Sequence, residues 1–172
     1  MQNLRQSVAT RCAASLFVFA LVFFSNGRSA VADEQVFIER DIVVIDLIQN
    51  VEWLRCSLGQ IWDGKTCQGE IMKLNHDEIA QAIVQANDQV GGNWRLPSAD
   101  ELQALVCETC TPPKIDPEMF PNTSPEPYWT GERNTFTSEN YYSINFYTGH
   151  TYGRIFKNQP LAVRLLRGRS PG

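Results

Sequence analysis

The side chains able to do chemistry are few and dispersed. Cys107-Glu108-Thr109-Cys110 has the spacing of a redox pair. A thiolate there is disfavoured: the motif follows a predicted helix, meets the negative end of its dipole, and has Glu108 as a like charge beside it. Of five cysteines Cys12 falls in the expected leader, and Cys56 and Cys67 raise the remaining set to four thiols, but not at the paired-knuckle spacing of a zinc site. An even number of cysteines in an exported chain reads as two disulfides, and four cysteines allow three connectivities. The local pairing, Cys56–Cys67 with Cys107–Cys110, is preferred because both bridges close short loops. His76 and His150 are the only histidines, and neither has a partner at ligand spacing. Calcium needs clustered oxygen ligands, whereas Asp116, Glu118, Asn122, Glu126 and Glu132 are spread over and beyond a proline-rich stretch. No serine sits in a nucleophile-elbow motif. No catalytic, cofactor-binding or metal set is therefore expected, calcium being the one ion left open.

Aromatic side chains are the remaining candidates. Trp129, Tyr128, Tyr141, Tyr142, Tyr147 and Tyr152 gather in the last third of the chain, near Arg133, Asn145 and His150. Aromatic faces beside amides and charges suit sugars, whose C–H faces stack on rings while their hydroxyls form hydrogen bonds. The competing reading is core and cross-strand packing, and it is favoured for Tyr142, Ile144 and Phe146. The candidate ligand-binding set is Trp129, Arg133, Asn145, Tyr147, His150 and Tyr152, with Tyr147, His150 and Tyr152 at an expected hairpin tip. Arg154, Lys157, Arg164, Arg167 and Arg169 are either a basic patch for an anionic glycan or an ordinary charged strand edge.

The elements that would position these residues follow from local signals. Residues 1–32 have the layout of a secretory signal peptide rather than an uncleaved anchor: Arg5 and Arg11, an apolar run from Ala13 to Phe24, then Ala30-Val31-Ala32. Past it, 12 Lys and Arg face 19 Asp and Glu, a formal charge of −7. That balance argues against general nucleic-acid binding. No later run is long enough to span a bilayer, and residues 33–172 suit one domain. Asn75 with Glu78 forms a capping box ahead of Ile79, Ile83, Ala86 and Val90, with Ala80, Ala82 and Val84 widening the apolar face, and Gly91-Gly92 ends the helix. Ser98 with Glu101 caps a second helix carrying Leu102, Leu105 and Val106, and Pro97 holds Leu96 extended before it. Asp41–Ile48 reads as one strand, which Val51–Leu54 continues or pairs with. Six prolines between Thr111 and Pro127 mark a long ordered loop. Tyr142–Phe146 and Tyr152–Phe156, turning at Thr148-Gly149, read as a hairpin, and Leu161–Leu166 as a final strand.

Taken in order, these segments resemble the Lcl C-terminal domain family. The resemblance rests on Trp53-Leu54-Arg55-Cys56-Ser57-Leu58-Gly59-Gln60 with Trp62, Cys67 and Gly69; Trp94-Arg95-Leu96-Pro97 with Glu101-Leu102; Phe120-Pro121-Asn122-Thr123; Tyr128-Trp129-Thr130; Asn145-Phe146 with Gly149; and Val163-Arg164-Leu165-Leu166-Arg167. Trp129-Thr130-Gly131 replaces the more usual Trp-Ser or Trp-Thr-Ser, Cys107 is an addition, and no collagen-like repeat is present. The resemblance implies an α+β, C-type-lectin-like fold, similar also to the formylglycine-generating enzyme, with two helices, small antiparallel sheets and long ordered loops. That enzyme's chemistry needs a reactive cysteine pair in the final region, and no Cys follows Cys110. The expectation is an exported, periplasmic or extracellular, non-enzymatic binding module for a surface carbohydrate or a protein partner. The alternatives are an envelope structural or assembly factor and an enzyme of unknown chemistry.

Overall fold

The computed structural model describes residues 35–169. The leader expected over residues 1–32, with Cys12, lies outside the described residues. Among the described residues nine short strands and two helices follow one another in an α+β arrangement. β1 (Phe37–Arg40), β2 (Val43–Asp46), β3 (Val51–Leu54) and β9 (Leu166–Gly168) form one antiparallel sheet in that order. β4 (Ile61–Trp62) and β5 (Cys67–Gln68) form a small ribbon, and β6 (Pro127–Arg133), β7 (Asn140–Asn145) and β8 (His150–Phe156) a second antiparallel sheet.

The expected strand Asp41–Ile48 is shorter than its apolar run. Asp41 adopts φ 51° and Asn50 φ 56°, so tight turns bracket Val43–Asp46. All four of those residues are buried, and covering on both faces erases the period-two signal that would have marked the ends. Val51–Leu54 pairs with this strand, Val44 opposite Trp53.

Both expected helices form where their caps predict. In α1 (His76–Val90), the Asn75 side chain accepts from Asp77 N and Glu78 N, and Glu78 returns a bond to Asn75 N at 2.8 Å. Its buried stripe is narrower than expected, Ile79 and Ala86, while Ala80, Val84 and Val90 face solvent. In α2 (Ala99–Gln103), Ser98 and Glu101 make the same reciprocal cap. Leu105, fully buried, lies just past its end.

The expected final strand is the largest correction. Only Leu166–Gly168 joins a sheet. Residues 161–166 are nevertheless extended and act as a spine, bonded in turn to Leu74, Trp129, Leu58, Leu54 and Arg95. Their period of two is intact, because Ala162 and Leu166 enter the core against α2 and β7 while Val163 and Leu165 enter the core against α1 and Trp129. No single neighbour runs alongside the segment, so its bonds are shared among five partners instead of forming a ladder.

Candidate functional site

Both disulfides adopt the local pairing, with Cα atoms 5.5 Å apart for Cys56–Cys67 and 5.3 Å for Cys107–Cys110. The first closes the β4–β5 ribbon, and the second staples the turn after α2.

The candidate ligand set divides in two. Trp129 is fully buried, its Nε1 donating to the Leu74 carbonyl at 2.8 Å and its ring meeting His76 edge-on. A ring so enclosed presents no face to a ligand, which corrects its place in the set. Arg133 lies at the wrong end of the sheet: it pairs with Tyr141, whereas Asn145 pairs with Pro127. Four residues of strand separate Tyr141 from Asn145, about 13 Å. The Arg133 guanidinium donates to the Tyr141 hydroxyl at 2.9 Å. Asn145 shapes the β7–β8 turn, its Oδ1 accepting from Tyr147 N at 2.8 Å and its carbonyl from Gly149 N at 2.7 Å.

Tyr147 lies in the β7–β8 turn, and His150 and Tyr152 follow in the first residues of β8, opposite Asn145 and Ser143. Tyr147 is 59 % exposed and Tyr152 43 %, and His150 is exposed as well. The Thr148 and Tyr152 hydroxyls lie 3.4 Å apart. The turn is held from behind. Gln103 of α2 donates to the Gly149 carbonyl at 2.9 Å and accepts from the Thr151 hydroxyl at 2.6 Å. Gly149 has φ 78°, and a Cβ there would press on Lys114 and Val106. Two aromatic faces are thus offered on a braced turn rather than a free loop.

The proposed basic patch does not exist as a patch. Arg164 is fully buried, donating to the Leu54 and Arg55 carbonyls and the Ser57 and Thr123 hydroxyls, and loss of water pushes its pKa down to about 10. Arg167 is bound to the buried carboxylate of Glu52 at 2.7 Å and lies over the Trp94 ring. Only Arg154, Lys157 and Arg169 of that group are exposed.

Four of the five oxygen ligands considered for calcium have other partners. Asp116 caps a turn through Glu118 N and Met119 N, Asn122 bonds the Cys67 carbonyl, Glu126 pairs with Lys73, and Glu132 accepts from Ala99 N. Among the described residues no three His, Cys, Asp or Glu side chains gather as a metal set, and no helix is long and apolar enough to cross a membrane.

A family model described as the Lcl C-terminal domain matches residues 42–167. The chain belongs to the Lcl C-terminal domain family. No curated protein and no solved structure matches it. In this Lcl C-terminal domain the motif residues serve the fold. Arg95 grips Glu101 through two bonds of 2.7 and 2.8 Å, which holds the Glu101 carboxyl below its ordinary range. Tyr128 is buried with its hydroxyl 2.9 Å from Ser57 Oγ, and Phe120 lies under Arg164. These signature residues are engaged in packing and hydrogen bonds within the domain.

One feature escaped the sequence reading. A groove of about 440 Å³ opens between α1 and the β4–β5 ribbon, with Ile61, Trp62 and Met72 on its lining. The available signal was Ile61-Trp62, two large apolar residues inside a short disulfide loop, where burial is hard to supply.

Proposed function

We propose that this domain is an exported, non-enzymatic binding module that recognises a surface carbohydrate through the β7–β8 hairpin tip. The observation that carries the reading is the exposure of Tyr147 and Tyr152 on a turn braced by Gln103 and Gly149. Rings held in place before binding lose little freedom when a sugar stacks on them. The hydroxyls of Thr148 and Tyr152 and the imidazole of His150 supply polar contacts around the rings. Two disulfides support a periplasmic or extracellular location, where they persist. The two helices, small antiparallel sheets and long stretch between α2 and β6 support a C-type-lectin-like fold.

The two groups most perturbed by burial support the non-enzymatic reading. Arg164 is enclosed among carbonyls and hydroxyls, and His76 is stacked on Tyr141 at 3.7 Å between ring centres. Both pack the core, and neither opens onto the hairpin tip. A protein partner is the second reading, favoured by the apolar groove. A glycan array probed with the purified, oxidised protein tests the first. Saturable binding to a defined glycan class is expected. Binding that persists in chelator leaves the tip as an ion-independent site, loss in chelator adds calcium to it, and no binding in either condition passes the weight to a protein partner.

A further inference from the structure

The groove shares no residue with the hairpin tip. Ile61 is 75 % exposed, and Met72 and Val90 are also open to water, so an apolar cleft stands unfilled. Its ribbon wall is firmly built. Cys56–Cys67 closes the loop, and Trp62 is backed by the Arg55 guanidinium, 4.3 Å from the ring centre and itself bonded to Glu39 at 2.9 Å.

Two features specify an occupant. Gln85 and Gln89 line the helix wall one turn apart, and among the described residues neither side-chain amide has a hydrogen-bond partner. Four helical residues rise about 6 Å. Alternate residues of an extended chain repeat at about 6.6–6.8 Å. Each amide carries both donor and acceptor, so the pair stands in register with alternate peptide groups of an extended segment laid along the helix.

Charge is the second feature. No charged side chain lines the groove. Around it, Asp41, Glu70 and Asp88 make no ion pair among the described residues, whereas Arg55 and Lys73 are held by Glu39 and Glu126, and Arg40 reaches Glu52. Lys65 makes no ion pair among the described residues, but its turn also carries Asp63, which accepts from the Lys65 backbone N–H. α1 contains no Lys or Arg, and of its acids Asp77 is paired with Lys157 and Glu78 caps the helix, which leaves Asp88 beside the groove-lining residues. The complement is cationic.

We propose that this groove docks an extended, apolar segment of a partner polypeptide, with alternate side chains entering it and Lys or Arg flanking it. The domain then has two faces, a hairpin tip for one ligand and a groove for a protein.

Random nonapeptides displayed on phage and selected on the purified, oxidised protein test this. The expected result is enrichment of alternating apolar residues flanked by Lys or Arg. A synthetic peptide of that consensus should lose about tenfold in affinity on the double change Gln85→Ala and Gln89→Ala, as for two lost hydrogen bonds. It should lose more on Ile61→Asp and nothing on Tyr147→Ala. All four positions are exposed, so folding is preserved. Absence of enrichment, enriched sequences lacking that pattern, or affinity indifferent to Ile61→Asp would overturn the proposal. A dimer in sedimentation equilibrium that Ile61→Asp dissociates would give the groove to a second copy, and would overturn it too. Loss of glycan binding on Tyr147→Ala with peptide binding retained separates the two faces.

Discussion

The Arg164 guanidinium lies over the Phe120 ring, its carbon 4.8 Å from the ring centre, and donates to Thr123 three residues further along the same loop at 2.8 Å. A fully buried cation is thus held by a π face, two carbonyls and two hydroxyls. It ties the final spine both to the segment after β3 and to the proline-rich loop. Truncation leaves those acceptors without a donor in a buried site. Arg164→Ala is expected to cost about 3–5 kcal/mol, read as a lowered urea midpoint, and Arg164→Lys to recover only part, because an ammonium lacks the planar fork.

How far the fold was legible follows the range of its signals. The caps at Asn75 and Ser98, the turn at Gly149 and the two disulfides are each settled within a dozen residues, and all were readable. The spine was misread in kind. Residues 161–166 read as a strand because they form an extended, largely apolar run covered on both faces, yet their hydrogen bonds go to five separate segments, which no local pattern encodes. Arg164 and Arg167 look like surface charges in the sequence. Their partners, Thr123 and Glu52, are brought to them only by tertiary folding. Within the candidate site, Tyr147, His150 and Tyr152 were placed by the turn itself. Trp129 was misassigned because strand alternation does not reveal that His76 and the Leu74 carbonyl enclose its ring. The groove draws its walls from the β4–β5 ribbon and from α1, two separate stretches of chain.

His76 gives the domain a defined acid response. Its ring stacks on Tyr141, and burial holds its pKa below the ordinary 6.5, against the attraction of Asp77 and with the repulsion of Arg133 and Lys157. The unfolded chain then binds a proton more readily than the folded one. Stability from this group is complete above pH 6.5 and declines as pH falls through the lowered folded value. Urea midpoints measured across that window should fall, and His76→Phe should flatten the fall. The further loss below pH 4.5, where the Arg95-bound Glu101 takes up its proton, should remain in that variant.

The two disulfides differ in loop length, with sequence separations of 11 and 3. In the chain-entropy account, replacing both Cys56 and Cys67 by Ser costs about 3 kcal/mol, and replacing both Cys107 and Cys110 about 2 kcal/mol. Denaturation curves of the two double variants give the order. Equal losses would mean that native contacts, not loop closure, set the contribution of each bridge.

Trp129→Ala should behave as a core deletion, costing about 3–5 kcal/mol. Tyr147→Ala and Tyr152→Ala, at exposed positions, should stay within about 0.5 kcal/mol of the parent. Thermal unfolding of the three variants separates the packing aromatics from those left for a ligand.

The central claim is that the hairpin tip is the carbohydrate-binding face. The measurement that meets it most directly is titration of the glycan best retained on the array into four oxidised proteins: the parent, Tyr147→Ala, Tyr152→Ala and Arg133→Ala. The account predicts that each tyrosine change abolishes or sharply weakens binding, while Arg133→Ala, at the far end of the sheet, leaves it unchanged. Binding that survives both tyrosine changes, or that is lost with Arg133, would contradict it.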